Sequence, residues 1–426
     1  MTFGVLSIMK GMNIKMQNKK VCFLYKNMVM GGAETLILRM SEWLILNNYK
    51  VEIVCKSVTK EMEKSFTKKN VLIKKLKYFS ANEYIKTIEK ENEFKYIYFI
   101  TFGFHEYFIS EKIRFKCKKM NVYNLWYVIH PFHTRIGKGL TFFFESSLRE
   151  TILNLYQSNR IFFMDEDCIK ATEKYYKINL EKAYKNIIRL PLFINKPQKI
   201  KTKYKGHLNI LSIARFDFPF KGYLIGLVKV FAELSKENPD MNLTIIGDGN
   251  GMPEIKKVIN SLEITVQNHI YVKGIVPYEE LDDYFSNADI YIGMGTTLLD
   301  ASNHMIPSLT ACYYTYDLLI TDFFYKQPNL LTGLPKNGNI SHSIDLIKKA
   351  INMDSAEYEN ISIKSFLAFS EMYDINLNMP RFLNITLNNE EMVQNILIMN
   401  LILIRRKIIE VIACFIKFIK GIKNNK

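Results

Sequence analysis

ADIYIGMGTTLLDASNHMIP, residues 288–307, is the stretch that indicates how the rest of the chain folds. Residues 289–293 alternate and carry Ile and Tyr, so they predict a buried strand. Residues 293–297 form a glycine-containing turn, and residues 298–305 predict a helix that stops before Pro307. A glycine turn from a strand to a helix directs free backbone N–H groups and the positive end of the helix dipole at one point. This turn is therefore suited to a phosphate.

Asp300 leaves two interpretations of this turn open. It lies about one turn into the predicted helix, where its carboxylate would accept hydrogen bonds from two hydroxyls of a ribose. Alternatively, the segment is an ordinary strand–helix connection in which Thr296 caps the helix and Asp300 complements its dipole. The remainder of the chain favours the ligand-binding interpretation.

Length, composition and charge restrict the class of protein. A chain of 426 residues is too long for one hydrophobic core, so two domains are expected. Hydrophobic residues at 48% and aromatic residues at 13% exclude a disordered chain. The net charge of +16 predicts an anionic partner, which is nucleic acid, a phosphorylated ligand or an anionic membrane surface. Six cysteines without a CxxC motif favour reduced thiols in the cytoplasm over a zinc site or a disulfide framework.

Strands and helices alternate in two halves of the chain. Residues 20–25 predict a strand that runs into Gly31-Gly32 before a helix, and residues 50–55 predict the next strand. The alternation begins again at residue 208. We therefore predict an α/β fold with two doubly wound, Rossmann-like domains that face a cleft. The predicted segments are a disordered leader at 1–19, an N-terminal domain at 20–194, a linker at 195–206, a C-terminal domain at 207–360, return helices at 361–389 and a basic tail at 390–426.

The tail differs in kind from the two halves. Residues 392–404 are mainly apolar, and from Arg405 onward seven residues are Lys or Arg while Glu410 is the one acid. This pattern predicts a basic amphipathic helix on an anionic membrane surface. A helix packed on the protein with a solvated basic face is the alternative. No run of ~18 apolar residues predicts a membrane span.

Further candidate ligand-binding residues follow other predicted strands of the second half. Arg215 and Lys221 follow the first strand of that half, and Gly247-Asp248-Gly249 follows the second. Ligands of doubly wound sheets bind at the carboxyl ends of the strands. Two cations and a helix N-terminus at that edge predict a diphosphate site, and the nearby acid Asp300 makes it a nucleoside diphosphate site.

These motifs together resemble a family-4-type retaining glycosyltransferase of the GT-B fold, the type that builds bacterial surface polysaccharides. The resemblance covers residues 20–389 and implies transfer of a hexose, with retention, from a nucleotide-diphosphate sugar to a glycan or lipid-linked acceptor, as in capsule or lipopolysaccharide biosynthesis. It further implies an enzyme that needs neither a metal nor a cofactor besides its donor. From the basic tail and the reduced cysteines we expect a cytoplasmic location, peripheral on the inner face of the membrane. The residues that carry the resemblance are Gly31-Gly32-Ala33-Glu34, His130, Arg215 with Lys221-Gly222, Ile246-Gly247-Asp248-Gly249 and the block 293–307.

The resemblance also assigns roles to individual residues. The N-terminal domain would face the acceptor and the C-terminal domain would bind the nucleotide sugar. Arg215, Lys221 and the helix N-terminus would stabilise charge on the departing diphosphate, and His130 would orient the acceptor or hold the donor sugar. A strand-end histidine satisfied by the backbone is the alternative for His130. The implied donor-binding residues are Gly31, Gly32, Gly247, Asp248, Gly249, Gly295, Thr296, Thr297 and Asp300.

The acids around the turn at residues 293–297 depart from the family pattern. The family usually carries two glutamates separated by seven residues, followed by a small-residue helix and Gly-x-Pro. The second glutamate falls on Asp300, and the first, which lies near the donor sugar in the family, falls on Ile292. Without that acid, a nucleotide-sugar-binding or scaffolding subunit of a glycan assembly complex stays open as an alternative to an enzyme.

Three other site types are disfavoured. Asp165-Glu166-Asp167 matches the D-x-D metal motif of the other major glycosyltransferase fold, but it begins a helix, where acids act as caps. His130 and His133 lack a third metal ligand. Residues 247–251 lack the G-x-G-x-x-G spacing of a dinucleotide site, and no aromatic–basic module predicts binding to nucleic acid.

Overall fold

The computed structural model describes residues 19–29, 31–88, 96–117, 121–135, 141–180, 186–194, 208–333 and 339–383, together with residues 401, 404, 408 and 412. They belong to two compact units. The first combines the residues up to Leu192 with those from Ile375 onward, and the second runs from Phe193 to Asp374. The predicted linker at 195–206 and, apart from Lys19, the predicted leader lie outside the described residues.

The first unit is a parallel sheet accompanied by helices. In chain order its elements are β1 (Lys19–Leu24), β2 (Asn27–Met28), α1 (Gly32–Leu46), β3 (Lys50–Cys55), β4 (Ser57–Val58), α2 (Lys60–Lys68), β5 (Leu72–Lys75), α3 (Ala81–Ile88), β6 (Tyr96–Thr101), α4 (Phe104–Lys116), β7 (Asn121–Val128), α5 (Thr141–Gln157), β8 (Ile161–Phe163) and α6 (Glu166–Tyr176). The strand order is β5-β3-β1-β6-β7-β8, and all pairs in this sheet are parallel. The short strands β2 and β4 pair with each other.

The strands of this sheet are buried along most of their length. In β1 every residue from Lys20 to Leu24 is buried, as expected for a parallel sheet whose two faces are both covered. Trp126 of β7 stacks on Tyr107 of α4 with ring centroids 5.1 Å apart. Both rings are fully buried and anchor the core on the β7 side of the sheet.

The second unit repeats this architecture. Its elements are β9 (Leu208–Ile213), α7 (Tyr223–Glu237), β10 (Met241–Ile246), α8 (Met252–Asn260), α9 (Ile264–Gln267), β11 (Ile270–Lys273), α10 (Leu281–Asn287), β12 (Ile290–Gly293), α11 (Thr296–Asn303), β13 (Ser308–Ala311), β14 (Ile320–Phe323), α12 (Ile340–Asn352) and α13 (Ser355–Tyr373). The chain then returns to the first unit with α14 (Ile375–Leu383). The strand order is β11-β10-β9-β12-β13-β14, in which β14 is antiparallel to β13.

The strand orders confirm the predicted α/β fold with two doubly wound, Rossmann-like units. In the second unit the chain proceeds from β9 to one side of the sheet and then crosses to β12 on the other side. Ligands of such sheets bind at this switch point, beyond the carboxyl ends of the two strands. The equivalent point of the first unit lies between β1 and β6. Arg215 follows β9, and the glycine turn at residues 293–297 follows β12. The topology therefore brings both to the switch point of the second unit.

Four residues of the predicted tail are described, namely Leu401, Ile404, Ile408 and Ile412. Each is helical and about half exposed, and the remainder of the tail lies outside the described residues. In the part of the chain that the structure describes, no helix combines the length and the apolar character that crossing a bilayer requires. The five described cysteines are buried, and Cys414 lies outside the described residues.

Candidate diphosphate site of the second unit

The turn between β12 and α11 depends on Gly295. This residue has φ 77° and ψ −149°, a left-handed conformation that side chains disfavour although space for a Cβ atom is open. Its N–H donates to the carbonyl of Leu331 at 2.7 Å, which fixes the turn. The amides of Thr296 and Thr297 are the first of α11 and have no intrahelical acceptor, so they and the helix dipole present a partial positive charge to an anion.

The hydroxyl of Thr297 has a structural role in this turn. It donates to the carbonyl of Ile213 at 3.0 Å and accepts from the Tyr291 hydroxyl at 2.6 Å. Ile213 ends β9 and Tyr291 is fully buried in β12, so Thr297 ties the start of α11 to both strands of the switch point. The sequence analysis predicted that Thr297 binds the donor substrate. Because its hydroxyl is engaged by Ile213 and Tyr291, its backbone N–H is the group that remains for this role.

The glycines at 247 and 249 allow two loops to approach closely. Both have left-handed φ angles, 142° and 151°, and a Cβ atom on Gly247 would overlap the carbonyl oxygen of Ala214. A Cβ atom on Gly249 would lie 2.6 Å from the carbonyl oxygen of Phe216, whose own N–H donates to the carbonyl of Asp248 at 2.9 Å. The turn at residues 247–249 therefore packs directly against the loop that carries Arg215 and Lys221. The exposed carboxylate of Asp248 accepts a hydrogen bond from the N–H of Gly249.

Two cations share the loop after β9. The guanidinium of Arg215 is largely exposed, and it lies 3.6 Å from the exposed carboxylate of Asp217, a pair that stabilises little in water. The ammonium of Lys221 is less accessible. Burial lowers the pKa of Lys221 to about 8, the charge of Arg215 acts in the same direction, and Asp217 opposes it. The charged form of Lys221 thus gains from any anion that binds here.

Asp300 and Ile292 occupy the two acid positions of the family pattern. Asp300 is 6% exposed in α11. Burial is the main cause of the raised pKa of the Tyr291 hydroxyl, and the charges of Tyr223 and Asp300 act in the same direction. Ile292 is fully buried in the apolar core of the unit, and its neighbour across the sheet is Leu309 of β13. The position of the first family acid is therefore a core position in this chain.

The first unit holds the remaining predicted glycines. Gly31 precedes α1 in an extended conformation, and a Cβ atom there would lie 2.8 Å from the Glu34 carboxylate. Gly32 has open space around its Cα atom. Gly31 therefore makes room for the buried Glu34, which hydrogen-bonds to the Tyr25 hydroxyl at the switch point between β1 and β6.

His130 follows β7 at the same edge of the first sheet. Its Nδ1 accepts from the N–H of Phe132 at 3.2 Å, so a neutral ring carries its proton on Nε2. Burial lowers the pKa of His130, Arg135 acts in the same direction, and Asp165 opposes them. Burial likewise lowers the pKa of the neighbouring His133 to about 4, helped by His130. Both rings are therefore neutral at pH 7, and His130 offers an N–H donor rather than a positive charge.

The D-x-D sequence is a helix cap, as predicted. Asp165 is the N-cap of α6, and its Oδ1 accepts from the N–H of Cys168 at 2.8 Å. Glu166 pairs with Arg189 at 2.6 Å. Among the described residues, no group of His, Cys, Asp and Glu side chains is arranged to hold a metal ion.

Comparison with known proteins adds independent findings. Residues 194–362, most of the second unit, match the family described as Glycosyl transferases group 1. One curated relative, alpha-monoglucosyldiacylglycerol synthase of Acholeplasma laidlawii, is 27% identical over 139 residues, and the alignment covers 27% of this chain and 34% of the relative. The chain thus spans about a third of the length of that relative. The similarity to the group 1 family is thus a similarity of the second unit.

Solved structures share the fold of the whole described chain. A glycosyltransferase from Rickettsia africae ESF-5 superposes with a TM-score of 0.61 at 15% identity, covering 86% of this chain and 96% of its own. TarM of S. aureus, in a complex with fondaparinux, alpha-GlcNAc-glycerol and UDP, superposes with a TM-score of 0.57 at 13% identity, covering 86% and 99%. At these identities the similarity establishes the GT-B fold and leaves the activity to the site itself.

Proposed function

We propose that this chain is a glycosyltransferase that transfers a hexose from a nucleotide-diphosphate sugar, with retention and without a metal ion. The observation that supports the proposal is topological: the loop of Arg215 and Lys221 follows β9, and α11 follows β12, the neighbouring strand across the switch point of a unit that matches group 1 glycosyl transferases. A desolvated ammonium, a guanidinium and a helix N-terminus together suit a diphosphate.

The chemistry follows from where charge develops. When the bond between the sugar and the diphosphate breaks, negative charge grows on the leaving phosphate. The amides of Thr296 and Thr297 are held in place by the turn and the helix before the reaction, so they stabilise that charge without reorganising, and Lys221 and Arg215 add positive charge. In the proposed mechanism these positive groups take the role that a divalent cation has in metal-dependent transfer. The neutral His130 would donate its Nε2–H to the acceptor or the donor sugar.

A lipid-linked glycan acceptor in polysaccharide biosynthesis is part of the proposal. The name of the Acholeplasma relative refers to a glucosyldiacylglycerol, a sugar on a lipid, which supports an acceptor of that class. The four described tail residues share one helical face by their spacing, and their exposed apolar side chains support peripheral binding to an anionic inner membrane face. We propose a cytoplasmic location on these grounds.

A direct turnover experiment tests the function. The protein is incubated with a panel of UDP- and GDP-sugars, with and without membrane lipid extract, and release of UDP or GDP is measured. Activity that survives EDTA, and an NMR assignment showing an unchanged anomeric configuration, support the mechanism. Inversion, or loss of activity in EDTA that magnesium restores, contradicts it.

A nucleotide-sugar-binding or scaffolding subunit is the second candidate. The observation in its favour is Ile292, which replaces the first family acid with a fully buried core side chain. This candidate predicts binding of UDP or GDP without turnover of any sugar in the panel. The same assay, combined with calorimetric binding of the free nucleotides, therefore separates the two.

Replacing Asp300 by Asn is expected to weaken nucleotide diphosphate binding by about 1.5–3 kcal/mol, the worth of hydrogen bonds to a charged group. Asp300→Glu, the residue usual in the family, is expected to bind nearly as well as the wild type. Calorimetry measures the affinity, and Asp283→Asn on the exposed face of α10 is the matched control. Unchanged affinity in Asp300→Asn would remove the ribose role of this side chain.

Deleting residues 391–426 is expected to move the protein from the pellet to the supernatant when it is centrifuged with anionic vesicles. The reason is the loss of the apolar face at Leu401, Ile404, Ile408 and Ile412, and replacing these four by Ser is expected to act in the same direction. Nucleotide binding, measured on the same samples, should persist in both variants. A truncated protein that still pellets at low salt would contradict the role of the tail.

A further inference from the structure

An aromatic platform lies on the second unit beside the cation loop. We define it as Phe220, Tyr313, Tyr314 and Tyr316. Tyr314 is 62% exposed and Tyr316 is 42% exposed, although large aromatic side chains are usually covered in a folded domain. Tyr313 to Tyr316 belong to the connection between β13 and β14, and Phe220 immediately precedes Lys221.

The rings of Phe220, Tyr313 and Tyr314 pack against one another. Phe220 meets Tyr314 edge-on at 5.2 Å and lies 5.7 Å from Tyr313, and Tyr313 meets Tyr314 edge-on at 5.4 Å. Tyr316 meets the buried Phe218 edge-on at 5.8 Å. These contacts fix one side of the exposed rings and leave their other surfaces in water.

The backbone beneath the platform is fixed as well. The N–H of Tyr314 donates to the carbonyl of Phe220 at 2.9 Å, which joins the platform to the cation loop. A Cβ atom on Gly222 would lie 2.7 Å from the carbonyl of Thr315, and one on Gly226 would overlap the backbone of Leu318. The start of α7 thus packs against this connection with no room for a side chain between them.

Tyr314 adopts a backbone conformation that is unusual for a bulky residue. Its φ of 51° lies in the left-handed region, where glycine is favoured and a bulky residue is an outlier. A ring held in a strained conformation while most of it faces solvent gains little by burial. Such outliers occur where a side chain must be presented to a ligand.

The chemistry of the platform fits a sugar ring. Flat aromatic faces accept the apolar C–H face of a pyranose, and the Tyr hydroxyls at the ring edges are hydrogen-bond partners for its hydroxyl groups. The diphosphate site follows β9 and β12, and β13 is the next strand of the sheet after β12. The connection that carries the platform begins at the end of β13, on the opposite side of the site from β10 and β11. Tyr314 and Tyr316 are two residues apart in this connection, and two exposed rings suit a chain of sugars better than the single sugar of a nucleotide donor.

We propose that the platform binds a pyranose ring of the glycan acceptor next to the diphosphate site. The role as an acceptor subsite rests on the proposed function, whereas sugar binding itself does not. Saturation-transfer NMR tests it with the full chain and a panel of methyl glycosides and disaccharides of glucose, galactose and N-acetylglucosamine, in the absence of nucleotide. We expect signals from the sugar ring protons that fall at least tenfold in Tyr314→Ala/Tyr316→Ala.

Three controls make the test decisive. Tyr78→Ala in the first unit removes a ring that is similarly exposed, at 67%, and should keep the sugar signals. Calorimetric binding of UDP and GDP should be unchanged in the double variant. Tyr314→Gly should lose the sugar signals and yet raise the melting temperature, because glycine tolerates the left-handed conformation.

The contrary results are equally specific. Sugar signals that are absent from the wild type, or that persist in the double variant, overturn the proposal. A lower melting temperature of Tyr314→Gly, or lost diphosphate binding in the double variant, assigns the rings to packing and also overturns it. The same holds if the double variant loses only its sedimentation with anionic vesicles, since that assigns the rings to a membrane. A wild type that binds sugars but neither UDP nor GDP contradicts the proposed function alone.

Discussion

Replacing Lys221 by Ala is expected to lower the turnover of the nucleotide sugar by ~10²–10³-fold, the usual cost of one preorganised group that stabilises developing charge. Arg215→Ala is expected to act in the same direction. Both side chains belong to the loop after β9, and neither Lys221 nor Arg215 has a role in the apolar core that would unfold the unit when it is lost. Steady-state release of UDP or GDP measures the effect.

The control for this change is Lys236→Ala. Lys236 lies near the end of α7, is 59% exposed and pairs with Glu233 at 3.2 Å, so its loss should leave turnover within about twofold. Thermal unfolding of each variant checks that the fold is intact. Wild-type turnover and affinity in both Lys221→Ala and Arg215→Ala would show that the two cations are surface charges, and the diphosphate site would then lie elsewhere.

The low pKa of Lys221 gives the same variants a second readout. In the free protein the ammonium loses its proton as the pH rises through about 8. A bound diphosphate favours the charged form and raises this pKa, so binding at pH 9 should take up protons, whereas binding at pH 7 should not. Calorimetry in two buffers of different ionisation enthalpy measures the uptake. Lys221→Arg, which stays charged, should bind without it.

Much of the fold could be predicted because its strands are continuous apolar runs separated by helical patterns. The runs at 208–213 and 289–293 are of this kind. Parallel strands that are covered on both faces need such apolar runs because both sets of side chains are buried. The antiparallel edge strand β14 was not predicted. Its four residues, ITDF, carry no alternation that distinguishes them from a loop, and their pairing depends on Leu309 and Ala311 of β13.

The site could be predicted in part for the same reason. Glycine at 295 signals its own backbone conformation, so the turn before α11 was visible in the sequence. The position of the Thr297 hydroxyl was not, because its acceptor, the carbonyl of Ile213, is 84 residues away along the chain. Met305 stands where the family pattern has the glycine of Gly-x-Pro, and its φ of 58° keeps the left-handed conformation. The sequence did not predict this conformation, because methionine, unlike glycine, does not indicate a left-handed backbone.

A second large effect is expected in the first unit, where Glu52→Ala should lower the free energy of unfolding by about 3–5 kcal/mol. Glu52 lies on β3 and is buried, and its Oε2 accepts from the Lys20 ammonium at 2.8 Å and from the Tyr84 hydroxyl at 2.8 Å. Lys74 reaches its Oε1 at 3.2 Å. Lys20 is 1% exposed, so removing the carboxylate leaves an ammonium in the sheet interior with neither water nor its main counter-charge.

Urea unfolding at pH 7 measures this cost, and Glu63→Ala is the matched control. Glu63 pairs with Lys75 at 2.8 Å, but both are about half exposed, so its loss should cost less than ~1 kcal/mol. The cause can be separated from lost packing, because Lys20→Met/Glu52→Leu removes both buried charges and should recover most of the stability. Binding of UDP or GDP by the second unit should be unchanged in all four proteins under native conditions. If Glu52→Ala lowers the free energy of unfolding no more than Glu63→Ala does, water reaches Lys20. If the double variant is as unstable as Glu52→Ala, the carboxylate stabilises the unit through Tyr84 and Lys74 instead.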